Sequence, residues 1–392
     1  MLVSSRSLRL VPLIIPFVVL ALFTGRPASS RPLAPDRDYV HVAGTMGIDP
    51  TTGELAAGVA GQVRQAMKNI GVVLHAEGTD FSRVLSVNVF LSDTRHFSEM
   101  NEVYRSFFPS DPPTRATVGV DLPLPGAFVQ IALVAARPHV DRRVIKPAQL
   151  KSPELPYSWG ILAGNTLFIA GATSRDPDTY EPVTGDVGTQ TRRVFGNIGA
   201  VLNAADMDYG DLSSCTVFMD DSREFSEMNV AYREFAADDP PARATVRAGL
   251  MNPVFKVEIQ CVAERGASRS VVVARGASRP TSPFSPAVRV GQRMYLAGMV
   301  GRGPEGIAKG DIEAQTRQTL ANLGATLAAA EMGFGNVTAM HVFLLHIEHA
   351  AAVGSILDDL VGSGPSRTVM GAGLMGPDNL VEIMMLANET SH

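Results

Sequence analysis

The chain has 392 residues, 45% of them apolar and 19% charged, with a net charge of −5. This is ordinary globular composition, long enough for about two to four domains, and it offers no clustered Lys/Arg footprint for nucleic acid. Two cysteines make neither a disulfide framework nor a zinc cluster, no metal-binding spacing of His, Asp and Glu stands out, and no cofactor or metal is expected.

Residues 1–30 differ in kind from the rest. Arg6 and Arg9 precede the apolar run Val11–Phe23, small residues follow at Ala28-Ser29-Ser30, and no acid appears before Asp36. The run is short of the roughly 20 apolar residues that a bilayer-spanning helix needs. A positive start, a short apolar core and small residues beyond it predict a secretory signal peptide. The alternatives are an uncleaved N-terminal anchor or a start codon placed too early. Export is the expectation, with no stable membrane domain beyond such an anchor.

Beyond residue 30 one plan is written three times. A strand ending in Ala-Gly appears as Val40–Gly44, Leu167–Gly171 and Met294–Gly298. A helix follows, with Gln62, Gln190 and Gln315 near its start and Asn69, Asn197 and Asn322 further on. Its apolar positions recur at helical spacing, Val63, Met67, Ile70, Val73 and Leu74 in the first copy and Val194, Phe195, Ile198, Val201 and Leu202 in the second. Strands are predicted at Val84–Leu91, Ser213–Met219 and Val337–Leu345. A second helix carries the stripe Phe97, Met100, Tyr104, Phe107, repeated as Phe225, Met228, Tyr232, Phe235, which reads as core. An arginine strand comes next: Pro-Thr-Arg115-Ala-Thr-Val, Pro-Ala-Arg243-Ala-Thr-Val and Pro-Ser-Arg367-Thr-Val. Fifteen residues after each arginine a polar residue sits in an apolar strand, as Gln130, Glu258 and Glu382. The arginines are 128 and 124 residues apart, too far for a solenoid unit of about 20–50 residues and right for a small domain.

The chain therefore divides into domains at 31–136, 157–264 and 284–388, joined by connectors at 137–156 and 265–283. Each is α+β, a mixed sheet with two helices on one face. Apolar residues on both sides of Val257–Val262 predict that the other face packs against another copy. Cys215 and Cys261 both fall in strands of the second copy; they are either two buried small residues or one bridge between neighbouring strands. The arginine and the acid admit two readings as well. A guanidinium fork grips a carboxylate bidentately, so the pair can hold a small carboxylate and orient water; or Arg and Glu simply lock two strands together.

These motifs, in this order and over about four-fifths of the chain, resemble the RidA (YjgF, reactive-intermediate imine deaminase) family. The resemblance implies a chorismate-mutase-like fold, clefts between neighbouring subunits of a trimer, and hydrolysis of 2-imino or enamino acids to 2-keto acids and ammonia. It places the substrate-carboxylate arginine on Arg115, Arg243 and Arg367, the water-orienting glutamate on Glu258 and Glu382, the cleft asparagine on Asn101 and Asn229, and the opening-strand tyrosine on Tyr157. In the first copy Gln130 replaces the glutamate, and in the third Gly354 and Phe284 replace the asparagine and tyrosine. Deaminase-type members carry a cysteine two residues after the arginine, where this chain has Thr117, Thr245 and Val369, and a serine where it has Ala43, Ala170 and Ala297. Copy two keeps most of the set, so Arg243 and Glu258 are expected to work together there. Three copies in one chain predict an intrachain pseudo-trimer, a monomer with three unequal clefts that takes a small imino or keto acid. A catalytically silent carboxylate-binding or scaffolding protein is the alternative, and ribonuclease activity, attributed to some relatives, fits poorly with an acidic chain.

Overall fold

The computed structural model describes residues 36–389 apart from 237, 267, 304–305 and 308–309; the expected signal segment lies outside the described residues. The first domain runs β1 (Tyr39–Met46), α1 (Gly58–Ala76), β2 (Val84–Leu91), α2 (Phe97–Arg105), β3 (Thr114–Gly119) and β4 (Val129–Ala136). The connector holds β5 (Arg142–Ile145), an edge strand of the second sheet. The second domain follows as β6 (Gly160–Ala163), β7 (Thr166–Ile169), α3 (Val187–Ala204), β8 (Leu212–Met219), α4 (Phe225–Arg233), β9 (Ala242–Arg247), β10 (Gly249–Leu250) and β11 (Val257–Glu264). In the second connector β12 (Ser270–Val272) joins the third sheet. The third domain has β13 (Ala287–Val290), β14 (Arg293–Val300), a small hairpin of β15 (Arg302–Gly303) and β16 (Gly306–Ile307), α5 (Ile312–Ala328), β17 (Val337–Leu344), α6 (Ala350–Leu360), β18 (Ser366–Gly371), β19 (Gly373–Leu374) and β20 (Val381–Asn388).

Each sheet repeats one order, β1-β4-β2-β3 in the first domain, β7-β11-β8-β9 in the second and β14-β20-β17-β18 in the third. The arginine strand runs parallel to its neighbour and the other pairs are antiparallel. The helices cover one face because their apolar stripes can be buried nowhere else: Val63, Met67, Ile70 and Leu74 of α1 lie against Val87, Val89 and Ile131. The repeated helix amides hold loops rather than ligands. Gln62, Gln190 and Gln315 each donate to and accept from the backbone of the loop before the strand that carries Gln130, Glu258 or Glu382. Asn69, Asn197 and Asn322 donate to Ile48, Arg175 and Arg302, which fixes the segment after the Ala-Gly strand.

Cys215 and Cys261 are direct partners across β8 and β11, their Cα atoms 4.2 Å apart, and they form a disulfide. Of the two readings left open by sequence, the bridge is the one realised.

The uncovered sheet faces meet between domains. Phe90, Val118, Phe218, Val246, Phe343 and Met370, two from each domain, share one apolar cluster. Strand exchange follows the same cycle. β10 of the second domain extends the first sheet beside β3, and β19 of the third extends the second beside β9. Asp121 of the first domain exchanges two backbone hydrogen bonds with Gly371 of the third. Arg293 of the third domain reaches Asp38 and Asp36 of the first and Glu264 of the second, the last at 2.7 Å. A cavity of about 170 Å³ between the three sheets is lined in part by His41, Asn88, Gln260 and His341. Burial, with the nearby His41, pushes the His341 imidazole down to about 4, so it is neutral.

Candidate active site

The arginines do not face the acid of their own domain. Arg243 on β9 and Glu258 on β11 are separated by β8, about 9.6 Å across two ladders. The pairing expected within copy two is therefore not made. Instead the acid position of each domain (Gln130 in the first) meets the arginine strand of the domain before it in the cycle, which sets three candidate clefts.

The first cleft lies between domains one and two. The Gly171 amide donates to the Arg115 carbonyl at 3.1 Å, and Ser158 donates to the Pro113 carbonyl at 3.0 Å, so β3 is laced to the start of the second domain. This brings Arg115 beside Glu258. The Thr117 amide is directed at the Glu258 carboxyl. The Arg115 guanidinium lies over the Tyr104 ring at 4.8 Å and the Phe97 ring at 5.8 Å, a cation–π support. The aromatic stripe of α2 is thus core and arginine platform at once. Arg115 is 4% exposed, and its Nη1, Asn101 Oδ1 and the Tyr104 and Thr117 hydroxyls are buried with no hydrogen-bond partner. Burial pushes the Arg115 guanidinium below the usual arginine range. Tyr157 stands in the same cleft, its hydroxyl 2.6 Å from that of Tyr180.

The second cleft, between domains two and three, repeats the design with Arg243 and Glu382. Arg243 Nη2 donates to Asn229 Oδ1 at 2.7 Å, its Nη1 is unpartnered, and the guanidinium sits 4.6 Å from the Tyr232 ring and 5.7 Å from that of Phe284. The Thr245 amide is directed at the Glu382 carboxyl. Burial pushes both acids up, Glu258 and Glu382 each to about 7, against the lowering effect of those amides and of the facing arginine. A buried carboxyl near neutrality is what a proton acceptor at working pH requires.

The third cleft, between domains three and one, is built differently. Arg367 Nη1 is tied to Asp358 at 2.6 Å and its Nη2 donates to the Gly362 carbonyl. The acid is replaced by Gln130, and α6 has Gly354 where the other second helices have asparagine. Its guanidinium is already neutralised, and no carboxyl opposes it at the Gln130 position.

A glycine floors each cleft. A Cβ at Gly171 would overlap Glu258 Oε1, and one at Gly298 would overlap Glu382 Oε1, so only glycine leaves each acid its place. Sequence reasoning missed two participants, the Tyr180 hydroxyl and Arg175 beside it, and read Thr117 and Thr245 only as departures from the family cysteine. Thr117 and Thr245 lie on the same strand face as the arginines two residues earlier, so the arginine spacing alone was a signal for them.

Fold and clefts together define a protein of three tandem RidA-like α+β domains with candidate sites between domains. The chain belongs to the Endoribonuclease L-PSP family, whose model matches residues 31–137, 149–265 and 275–389. It is 39% identical over 122 residues to a RutC family protein of Pyrococcus horikoshii, a match covering 31% of this chain and 97% of that one. It is 38% identical over 125 residues to a 2-iminobutanoate/2-iminopropanoate deaminase of Bos taurus, covering 32% of this chain and 91% of that one. Each relative thus corresponds to one of the three domains. A crystal structure of a chorismatase aligns with 78% of this chain and 93% of its own, at a TM-score of 0.51 and 15% identity, which is a likeness of fold.

Proposed function

We propose that the chain hydrolyses small 2-imino or enamino acids to 2-keto acids and ammonia, in the first cleft and secondarily in the second. One observation carries this reading: a buried guanidinium without an ion-pair partner among the described residues faces a buried carboxyl raised to about 7. Relatives of single-domain size named 2-iminobutanoate/2-iminopropanoate deaminases support it. Arg115 holds the substrate carboxylate as a planar fork, and Asn101, Tyr157 and the Thr117 hydroxyl supply polar contacts around it. Glu258 takes a proton from water as the water oxygen bonds to the imine carbon, and hands it to the nitrogen as the C=N π pair moves there. The carbinolamine then collapses: its hydroxyl gives its proton to Glu258 as the carbonyl forms, Glu258 passes that proton to the nitrogen as the C–N bond breaks, and ammonia leaves. An imine is already electrophilic, so positioning supplies much of the acceleration.

The test is coupled deaminase turnover on freshly generated 2-iminopropanoate. Arg115→Ala is expected to cost at least tenfold, Arg243→Ala less, and Arg367→Ala nothing, since Arg367 is tied to Asp358. Wild type without turnover above background favours the second reading, a silent carboxylate-binding or scaffolding protein. That reading is supported by Thr117 and Thr245 standing where deaminase-type relatives have cysteine. The ribonuclease that the family's description names is not adopted, because the chain carries net charge −5 and RNA binding calls for a basic surface.

Our reading also takes the polypeptide as an intrachain pseudo-trimer and a monomer, supported by the cyclic strand exchange. Export is part of it too, supported by the Cys215–Cys261 bridge, since disulfides persist in oxidising compartments. Cell fractionation with N-terminal sequencing tests export; a full-length cytoplasmic protein with free thiols would rule it out.

A further inference from the structure

The first cleft holds a second guanidinium that hydrolysis of a simple imino acid does not need. Arg175 follows the Ala-Gly strand of the second domain, and Asn197 of α3 fixes its backbone by donating to its carbonyl at 2.9 Å. The same bond marks Ile48 as its counterpart in the first domain and Arg302 in the third. In the first domain the position carries no charge, and in the third the arginine is exposed.

Arg175 is neither exposed nor free to swing. Its guanidinium lies 4.3 Å from the Tyr180 ring centroid and 5.0 Å from that of Phe255, and Nη1 donates to the Tyr180 carbonyl at 2.8 Å. Two aromatic plates and one carbonyl orient the fork, yet among the described residues it has no ion-pair partner. The Tyr180 hydroxyl is bonded to that of Tyr157, and the charges of Arg175 and Arg115 both act on this tyrosine pair. Two oriented guanidinium groups thus act on one facing acid, Glu258, their shared counter-charge when it is ionised. Once Glu258 has taken its proton from water, a ligand with a single carboxylate leaves one of them without a counter-charge.

We propose that Arg175 receives a second anionic group of the substrate, so that the first cleft selects 2-imino acids bearing a distal carboxylate. The assignment rests on the hydrolase reading above and names its substrate class. An arginine fork held flat between rings is suited to bidentate carboxylate recognition, which a lysine does not reproduce.

The test compares kcat/KM on freshly generated 2-iminoglutarate and 2-iminopropanoate, using the full chain as wild type, Arg175→Gln and Arg175→Lys. Wild type is expected to favour the dicarboxylate at least tenfold. Arg175→Gln should collapse that ratio at least tenfold, and Arg175→Lys should restore only part of it. Equal losses on both substrates, or no preference in wild type, overturn the assignment and leave Arg175 a structural strap. Calorimetry with the products 2-oxoglutarate and pyruvate gives a readout free of turnover. If wild type hydrolyses neither imine but binds 2-oxoglutarate at least tenfold tighter, and Arg175→Gln loses this, the hydrolase reading falls and the Arg175 assignment stands. Turnover without selectivity sinks the assignment alone, and neither turnover nor selective binding sinks both.

Discussion

Glycine and glutamate at the cleft floor can be separated experimentally. Gly171→Ala places a methyl group where Glu258 Oε1 stands, against the Ala116 side chain 2.9 Å away, and neither strand has room to give. We expect at least tenfold loss of turnover with little change in substrate affinity at Arg115; Gly298→Ala should affect only the second cleft. Retained activity in Gly171→Ala would remove Glu258 from the reaction. The pH behaviour follows from burial. Folded Glu258 binds its proton up to about 7, against an ordinary value of 4.5. The stability it contributes is complete below pH 4.5 and is lost as pH rises through 7, with a slope of about 1.4 kcal/mol per pH unit per group. Activity runs the opposite way, because water activation needs the ionised form, and should rise with a midpoint near 7. Glu258→Gln is expected to abolish the first-cleft turnover at every pH and to remove its share of the decline in denaturation free energy between about pH 4.5 and 7, leaving the matching share of Glu382. A decline unchanged in that variant would show that Glu258 ionises as an ordinary surface acid.

The repeat of arginine and acid was legible in the sequence because both residue types break an apolar strand at fixed spacing. Their partnership was not. Strand order places β8 between β9 and β11, and nothing in a fifteen-residue spacing records that an intervening strand has come from earlier in the chain. Register hides in the same way. Whether Cys215 meets Cys261 depends on which residues of β8 and β11 stand opposite one another, and that pairing is set by burial of whole strand faces rather than by the cysteines. With the register known, the bridge closes a separation of 46 residues and is expected to contribute about 2–4 kcal/mol by restricting the unfolded chain. The Cys215→Ala/Cys261→Ala double variant should lower the unfolding free energy by that amount, read as a lower denaturant midpoint. An unchanged midpoint, or two titratable thiols in the purified protein, would count against the bridge.

At the scale of the whole chain, three domains are joined by exchanged strands, a shared apolar cluster and one charged junction. The cluster around Phe90, Phe218 and Phe343 is what a chain of separate domains would leave exposed, so sedimentation should give a single species of one chain's mass, at most 41.7 kDa. A species three times that mass would mean that the faces are satisfied between chains instead. The junction is the more sensitive probe. Arg293 binds acids of both other domains while stacked 4.4 Å from the Tyr39 ring. Burial disfavours its charge, but Glu264, with Tyr295, Asp36 and Tyr39, outweighs burial and holds the guanidinium above the usual arginine range. Glu264 also accepts from the Tyr295 hydroxyl at 2.7 Å. Removing a partly buried cation leaves the buried Glu264 carboxylate uncompensated, at a cost of up to about 3–5 kcal/mol. Arg293→Met is therefore expected to destabilise by that order, and Glu264→Gln in the same chain should recover part of the loss, since a neutral amide needs no counter-charge. The double-mutant cycle decides the point: strictly additive losses would mean that the Arg293–Glu264 contact transmits no energy between the second and third domains. A positive coupling with intact secondary structure would identify this junction as a place where their relative positions, and with them the geometry of the second cleft, are held.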